Sequence, residues 1–221
     1  YGMRALLTLF MVNALAFWIK FEKEFSHGEL IRTTWRSWIG SLGAGVIGGF
    51  FAYVGLNIFD TVFQSSGMLG NQLFDFKILK ETTGKLGFDL YLVYIPGLLD
   101  RPEVYCYPDE REQFIAYQIS FLDWMIKSPK KPDLIHCHDH HTGQIPFLVS
   151  HSARYKGLAN IPTICTIHNG EYQGCMGWDK ISYLPQIDLT KAGLLDWGGC
   201  INSLATAVKC SWKFTTVSPS Y

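Results

Sequence analysis

From residue 70 to residue 221, short apolar runs typical of strands alternate with longer stretches of helical period, and this alternation is what most restricts the fold. Phe74–Lys80 and Phe88–Ile95 read as two strands joined by a turn through Thr82–Gly87, and Pro96-Gly97 ends the second. A helix follows. Pro108, Asp109 and Glu112 offer a capping-box start, Ile115, Ile119, Leu122 and Ile126 recur at helical spacing, and Ser128–Pro132 stops it. Asp133–His138 reads as a buried strand, and a second helix begins near Thr142. Ile161–Ile167 reads as another strand, Ile201–Trp212 as a third helix and Phe214–Val217 as a last strand. Strands alternating with helices predict an α/β fold on a parallel sheet, and ligands of such sheets bind beyond the carboxyl ends of the strands. The polar clusters of this sequence fall at those ends.

Lys and Arg number 19 and so do Asp and Glu, so the formal net charge is +0. A neutral chain lacks the basic face that nucleic acid requires, and no nucleic-acid partner is expected. Cys106, Cys137, Cys165, Cys175, Cys200 and Cys210 form no C-x-x-C pair, which argues against a zinc ribbon or a disulfide scaffold. Reduced thiols in a cytoplasmic protein are the expectation. The chain opens on Tyr1 and stops at Ser218-Pro-Ser-Tyr221, directly after an apolar run, which reads as a piece of a longer protein.

Residues 1–69 differ in character from the rest. Ala5–Ile19 and Ile39–Phe59 are uncharged, and a membrane span needs about 20 mostly apolar residues. A membrane hairpin is one reading of this segment; a shifted or mis-joined reading frame is another. Membrane contact is expected only if the spans are genuine. Gly43–Gly48 matches G-x-G-x-x-G but follows no clean strand, while Ser41, Gly45 and Gly49 are spaced as in close-packed membrane helices.

Two clusters carry chemistry. His136-Cys-His-Asp-His-His-Thr-Gly143 ends a strand. Its histidines invite a metal, but the metallo-hydrolase pattern H-x-H-x-D-H needs Asp at position 140, where His stands, so no metal is expected and core or capping roles compete for His136 and His140. The second cluster is Thr166-Ile-His-Asn-Gly-Glu-Tyr-Gln-Gly174. An imidazole, an amide and a phenol gathered in a glycine-bounded loop can read sugar hydroxyls by directional hydrogen bonds, or can simply form a polar turn.

Together, Pro132–Gly143, Thr166–Gly174 and Thr215–Tyr221 resemble the starch/glycogen synthases of glycosyltransferase family 5, in the family's order and at its approximate spacing. Leu99-Asp-Arg-Pro102 with Tyr105, Pro108 and Asp109 is similar to the family's segment before its helix, Asn202-Ser-Leu204 to its Asn-Phe-Leu, and the His140-His141 pair to the form found in Bacteroidetes-type bacteria. The resemblance implies a Rossmann-like N-terminal domain of a GT-B glycosyltransferase, incomplete here and covering residues 70–221. It implies an acceptor-side domain that holds α-1,4-glucan, and an enzyme that adds glucose from ADP-glucose to the non-reducing end with retention and without metal or cofactor.

By matched position, His168 stands beside the transferred glucose and stabilises an oxocarbenium-like transition state, while Asp139 orients the attacking acceptor hydroxyl. Asn169, Tyr172, Gln173, His138 and Tyr105 are the implied substrate-binding residues. The sequence departs from the family in lacking a Lys-x-Gly-Gly-Leu loop within residues 1–69. It also has Cys106 for Gly, Gln113 for Arg, Cys175-Met176 for Trp-Phe and Ala205 for Lys. A non-catalytic glucan-binding module, a membrane-associated module and another GT-B transferase of the sucrose-synthase type are the competing readings.

Overall fold

The computed structural model describes residues 7–8, 58–101, 105 and 107–218. The two uncharged N-terminal runs lie outside the described residues except for Leu7–Thr8, Ile58 and Phe59, as do Gly43–Gly48 and Cys106. Among the described residues no helix is long and apolar enough to cross a membrane. The described residues fall into two compact units. One takes in 7–8, 65–76 and 109–218; the other takes in 58–64, 77–101, 105 and 107–108.

The first unit is built on a parallel sheet. Strands β1 (Leu7–Thr8), β5 (Ile135–His138), β6 (Thr163–Ile167) and β10 (Lys213–Thr216) lie in the order β1-β5-β6-β10. Ile135 pairs with Thr163 and His138 with Thr166, and Thr215 continues the row from Thr166. Alternation along β5 buries Ile135 and Cys137 and turns His136 and His138 to the opposite face. Both faces of a parallel sheet are usually apolar; here the second face carries imidazoles and hydroxyls, which marks it as a working surface.

Helix α1 (Glu110–Lys127) lies where the helical period predicts it, but its start differs. Asp109 precedes it without making a side-chain cap bond, and the Glu112 carboxylate receives Lys180 Nζ at 2.6 Å instead of reaching back to the cap. A tertiary ion pair therefore wins over the local capping box. At the other end Lys131 Nζ donates to the carbonyls of Met125, Ile126 and Ser128 at 2.7, 2.9 and 2.6 Å, which satisfies acceptors that the last turn leaves open. The helix is buried almost all round, from Gln113 to Asp123, which is broader than its isoleucine stripe alone predicts. Helix α2 (Ile145–His151) has Pro146 in its first turn, where a missing N–H costs nothing. Helix α3 (Ser203–Cys210) is shorter than the predicted Ile201–Trp212, because Asn202 caps it by accepting from Ala205 N at 2.9 Å.

Residues Cys175–Met176 (β7), Asp196–Trp197 (β8) and Cys200–Asn202 (β9) form a small antiparallel sheet in the order β7-β9-β8, which the sequence pattern does not announce. Strands of two or three residues are too short to show a period of two. Tyr155, Phe121, Phe147, Ile135, Ile145 and Leu148 are fully buried and centre the core of this unit.

Strands β2 (Phe59–Leu69), β3 (Gln72–Glu81) and β4 (Tyr91–Tyr94) form the remaining sheet, in that order. β3 and β4 pair antiparallel, Ile78 with Val93, as two strands joined by a turn require. Gly70 takes φ +58 between β2 and β3, a conformation that suits glycine, so the hairpin runs straight through residue 70. In the second unit Ile78, Leu79 and Ile95 are buried.

Candidate functional site

The site grows from the carboxyl ends of β5 and β6. Asp139 follows His138 and leaves the strand at φ 54, ψ −165, a backbone region that residues other than glycine rarely occupy. The alternation along β5 therefore ends at His138. Asp139 N still donates to Thr166 O at 3.0 Å, while the turn aims the carboxylate across to the loop after β6. There Asp139 Oδ1 accepts from His168 N at 2.7 Å and from Asn169 N at 3.3 Å. A charged acceptor serving two consecutive amides is worth more than an ordinary neutral hydrogen bond, which offsets the strained backbone.

The same loop brings two imidazoles together. His138 Nδ1 and His168 Nε2 are 2.9 Å apart, so one ring donates and the other accepts. Beside them His136 Nε2 meets Thr166 Oγ1 at 2.7 Å, and Thr166 Oγ1 meets Thr215 Oγ1 at 2.8 Å. Burial holds His136 below the ordinary imidazole range, and the nearby His168 adds to this. Burial, then His136 and His168, pull His138 down to about 4. Near neutral pH, His136 and His138 are uncharged. The neutral His136 and His138 rings beside the Thr166 and Thr215 hydroxyls, on the inner strands and β10, offer directional donors and acceptors, which suits an uncharged polyol better than an anion.

The remaining motif residues build the support. Thr142 Oγ1 accepts from His138 N at 2.7 Å and donates to His138 O at 2.9 Å, locking the turn that follows β5. His140 and His141 stack at 3.9 Å between ring centroids and both meet Phe114 edge-on, so they are packing groups. Gly143 lies so close to the Ser203 carbonyl that any Cβ would collide with it, which explains the Thr-Gly step. Among the described residues, no group of three or more His, Cys, Asp or Glu side chains is arranged to hold a metal ion.

The sequence-predicted residues are distributed as follows. Asp139, His138, His168 and Asn169 meet directly. Asn169 Oδ1 also accepts from Glu171 N at 3.0 Å and closes the loop on itself. Gln173 is exposed and bonded to its neighbours: Nε2 donates to Gly170 O at 3.2 Å, and Oε1 accepts from Asn202 Nδ2 at 2.8 Å. Tyr172 is 64% exposed. Tyr105 belongs to the other unit and is also exposed. The sequence reading left out Thr166, Thr215 and Asn202 as members of the network; the capping preference of Asn before Ser203-Leu204 was the available signal for the last.

Burial also lowers His141, to about 3, helped by His140 and Arg111. Folded-state values below the ordinary 6.5 mean that, below about pH 6.5, the unfolded chain binds protons that the folded chain refuses. The stabilisation is complete above that pH and is lost as acidity increases, through about 4 for His138 and about 3 for His141. The urea midpoint should therefore fall steadily from pH 6.5 to pH 4, and a His141→Phe variant should show a shallower fall. Equal slopes for the two proteins would remove His141 from this account.

Residues 56–221 match the family described as "Starch synthase catalytic domain". A glycogen synthase of Flavobacterium johnsoniae is 52% identical over 165 residues, which are 75% of this chain and 35% of that protein. A glycogen synthase of Streptococcus agalactiae serotype III is 38% identical over 124 residues, 55% of this chain and 26% of that one. Among solved structures, the catalytic domain of Starch Synthase IV from Arabidopsis thaliana, bound to ADP and acarbose, is similar with a TM-score of 0.64 and 25% identity, covering 74% of this chain and 34% of that one.

Proposed function

This chain belongs to the starch synthase catalytic domain family, and from that premise we propose that it is the acceptor-side part of a glycosyltransferase that transfers glucose from ADP-glucose to the non-reducing end of an α-1,4-glucan with retention. The observation that carries the reading is the single junction at which Asp139 holds the His168 and Asn169 amides while His138 holds the His168 ring. Uncharged hydrogen-bonding groups on β5, β6 and β10 fit sugar hydroxyls. The ADP held by the similar Arabidopsis structure supports ADP-glucose as the donor.

In this reading His168 donates to a hydroxyl of the transferred glucose, and its ring orientation is set by His138 Nδ1. Asp139 does two things. Its Oδ1 fixes the His168 loop, and the negative charge favours the positive character that develops on the sugar ring in the transition state. Asn169 and Gln173 keep the loop in shape through Glu171 N, Gly170 O and Asn202. Tyr172 is exposed and available to pack on a glucan ring. In this reading residues 70–221 are the acceptor-side domain and residues 1–69 a separate segment, while the family match itself begins at residue 56.

The chain spans about a third of the Flavobacterium johnsoniae protein, so the test uses a chimera in which residues 56–221 replace the matching part of that protein. Incorporation of labelled glucose from ADP-glucose into glycogen is the expected result. A folded chimera that binds glycogen and transfers nothing would make this domain a glucan-binding module instead.

A further inference from the structure

Two cysteines outside the histidine cluster face each other on the small antiparallel sheet. Cys175 pairs with Asn202 across β7 and β9, and Cys200 lies two residues before Asn202, hence on the same face of β9. Asn202 Nδ2 reaches Cys175 Sγ at 3.4 Å, and Cys200 Sγ donates to Trp197 O at 3.3 Å. Both are reduced; Cys175 is exposed and Cys200 partly so. Cys137 and Cys165, by contrast, are buried in β5 and β6, out of reach of a dissolved disulfide.

We infer that Cys175 and Cys200 form a redox-modifiable pair that closes to an intramolecular disulfide by exchange with a low-molecular-weight disulfide of the glutathione type. The Cys175 thiolate attacks one sulfur of the small disulfide, expelling one small thiol and leaving a mixed disulfide on Cys175. The Cys200 thiolate then attacks the Cys175 sulfur and expels the second small thiol. The protein gives up two electrons and two protons, and the small disulfide is reduced to two thiols.

The pair is diagonal in the sheet, and diagonal neighbours stand about 7–8 Å apart, slightly wider than a disulfide spans. Closing therefore draws β7 and β9 together. Asn202 touches the Cys175 sulfur and also holds Gln173, which holds Gly170 in the His168 loop, so closure pulls on that loop. Burial, then Cys175, pushes the Cys200 thiol up to about 11. Its thiolate is scarce at neutral pH, so crosslinking should speed up as pH rises from 7 to 9.

The test treats the 221-residue chain with excess oxidised glutathione from pH 7 to pH 9, traps it with iodoacetamide and maps tryptic peptides 157–180 and 192–209. A reducible crosslink between Cys175 and Cys200 that forms faster at pH 8 than at pH 7 is expected. A Cys200→Ser variant should stop at a glutathione adduct on Cys175, and a Cys175→Ser variant should give no crosslink to Cys200. Stable separate adducts on the two cysteines of the unaltered chain, or a dominant crosslink to Cys210 or Cys106, would overturn the assignment.

Discussion

Changing His168 to alanine in the chimera should lower turnover at least about a hundredfold, while the glycogen dissociation constant stays within about threefold. The expectation rests on where the ring is held. His168 N is fixed by Asp139 Oδ1 at 2.7 Å, and its Nε2 is shared with His138 Nδ1 at 2.9 Å. A ring held from both the backbone and the side chain is preorganised, and a preorganised donor acts most where charge develops in the transition state, not in the ground state. Alanine leaves the backbone amide on Asp139 intact, so the loop keeps its shape. Steady-state transfer from ADP-glucose, read beside glycogen affinity electrophoresis, separates the two effects. A proportional loss of binding and turnover would make His168 an acceptor-holding group, and unchanged turnover would end its catalytic reading.

The second large effect concerns stability and lies away from the site. Asp123 is 6% exposed and accepts from Arg154 Nε at 2.9 Å, Arg154 Nη2 at 2.7 Å and Tyr155 Oη at 2.9 Å, and Tyr155 is fully buried. The carboxylate ties α1 to the residues after α2. Its loss leaves a buried phenol and a half-covered guanidinium without their acceptor. Breaking such a pair by removing one partner costs about 3–5 kcal/mol. At a urea dependence of about 2 kcal/mol per molar, Asp123→Ala should lower the unfolding midpoint of the 221-residue chain by roughly 1.5–2.5 M. Tyr155→Phe removes one neutral donor and keeps the packing, and should cost about 1 kcal/mol. A shift below about 0.5 M for Asp123→Ala would show that water replaces the carboxylate easily and that the network contributes little.

Much of this fold follows from local pattern. β5, β6 and β10 stand where short apolar runs bounded by helices and prolines place them. α1 stands where a helical period of isoleucines meets a Ser-Pro stop. Elements without a local signature were not legible. β7, β8 and β9 are too short for periodicity. β2 begins at Phe59, at the end of an uncharged run that reads equally well as a span. The capping box at Asp109 has every local feature and does not form, because Glu112 finds Lys180, which is far away in sequence.

Local pattern sets the alternation of strands and helices, the placing of His138 and Asp139 at the end of one strand and of His168 at the end of another, and the motifs that mark the family, because each depends on residues within a few positions of one another. What those side chains do to each other depends on how the strands pack. Whether the Asp139 carboxylate faces solvent, a metal or the His168 amide depends on the register of β5 against β6 and on the positive φ of Asp139, and whether Gln173 reads a ligand or holds a loop depends on Asn202 arriving from β9. These contacts join residues about thirty positions apart, as in the His138–His168 and Asn202–Gln173 pairs. Hydrogen bonds at such separations are set by how sheets and helices pack, a property of the whole chain that no local window of sequence contains.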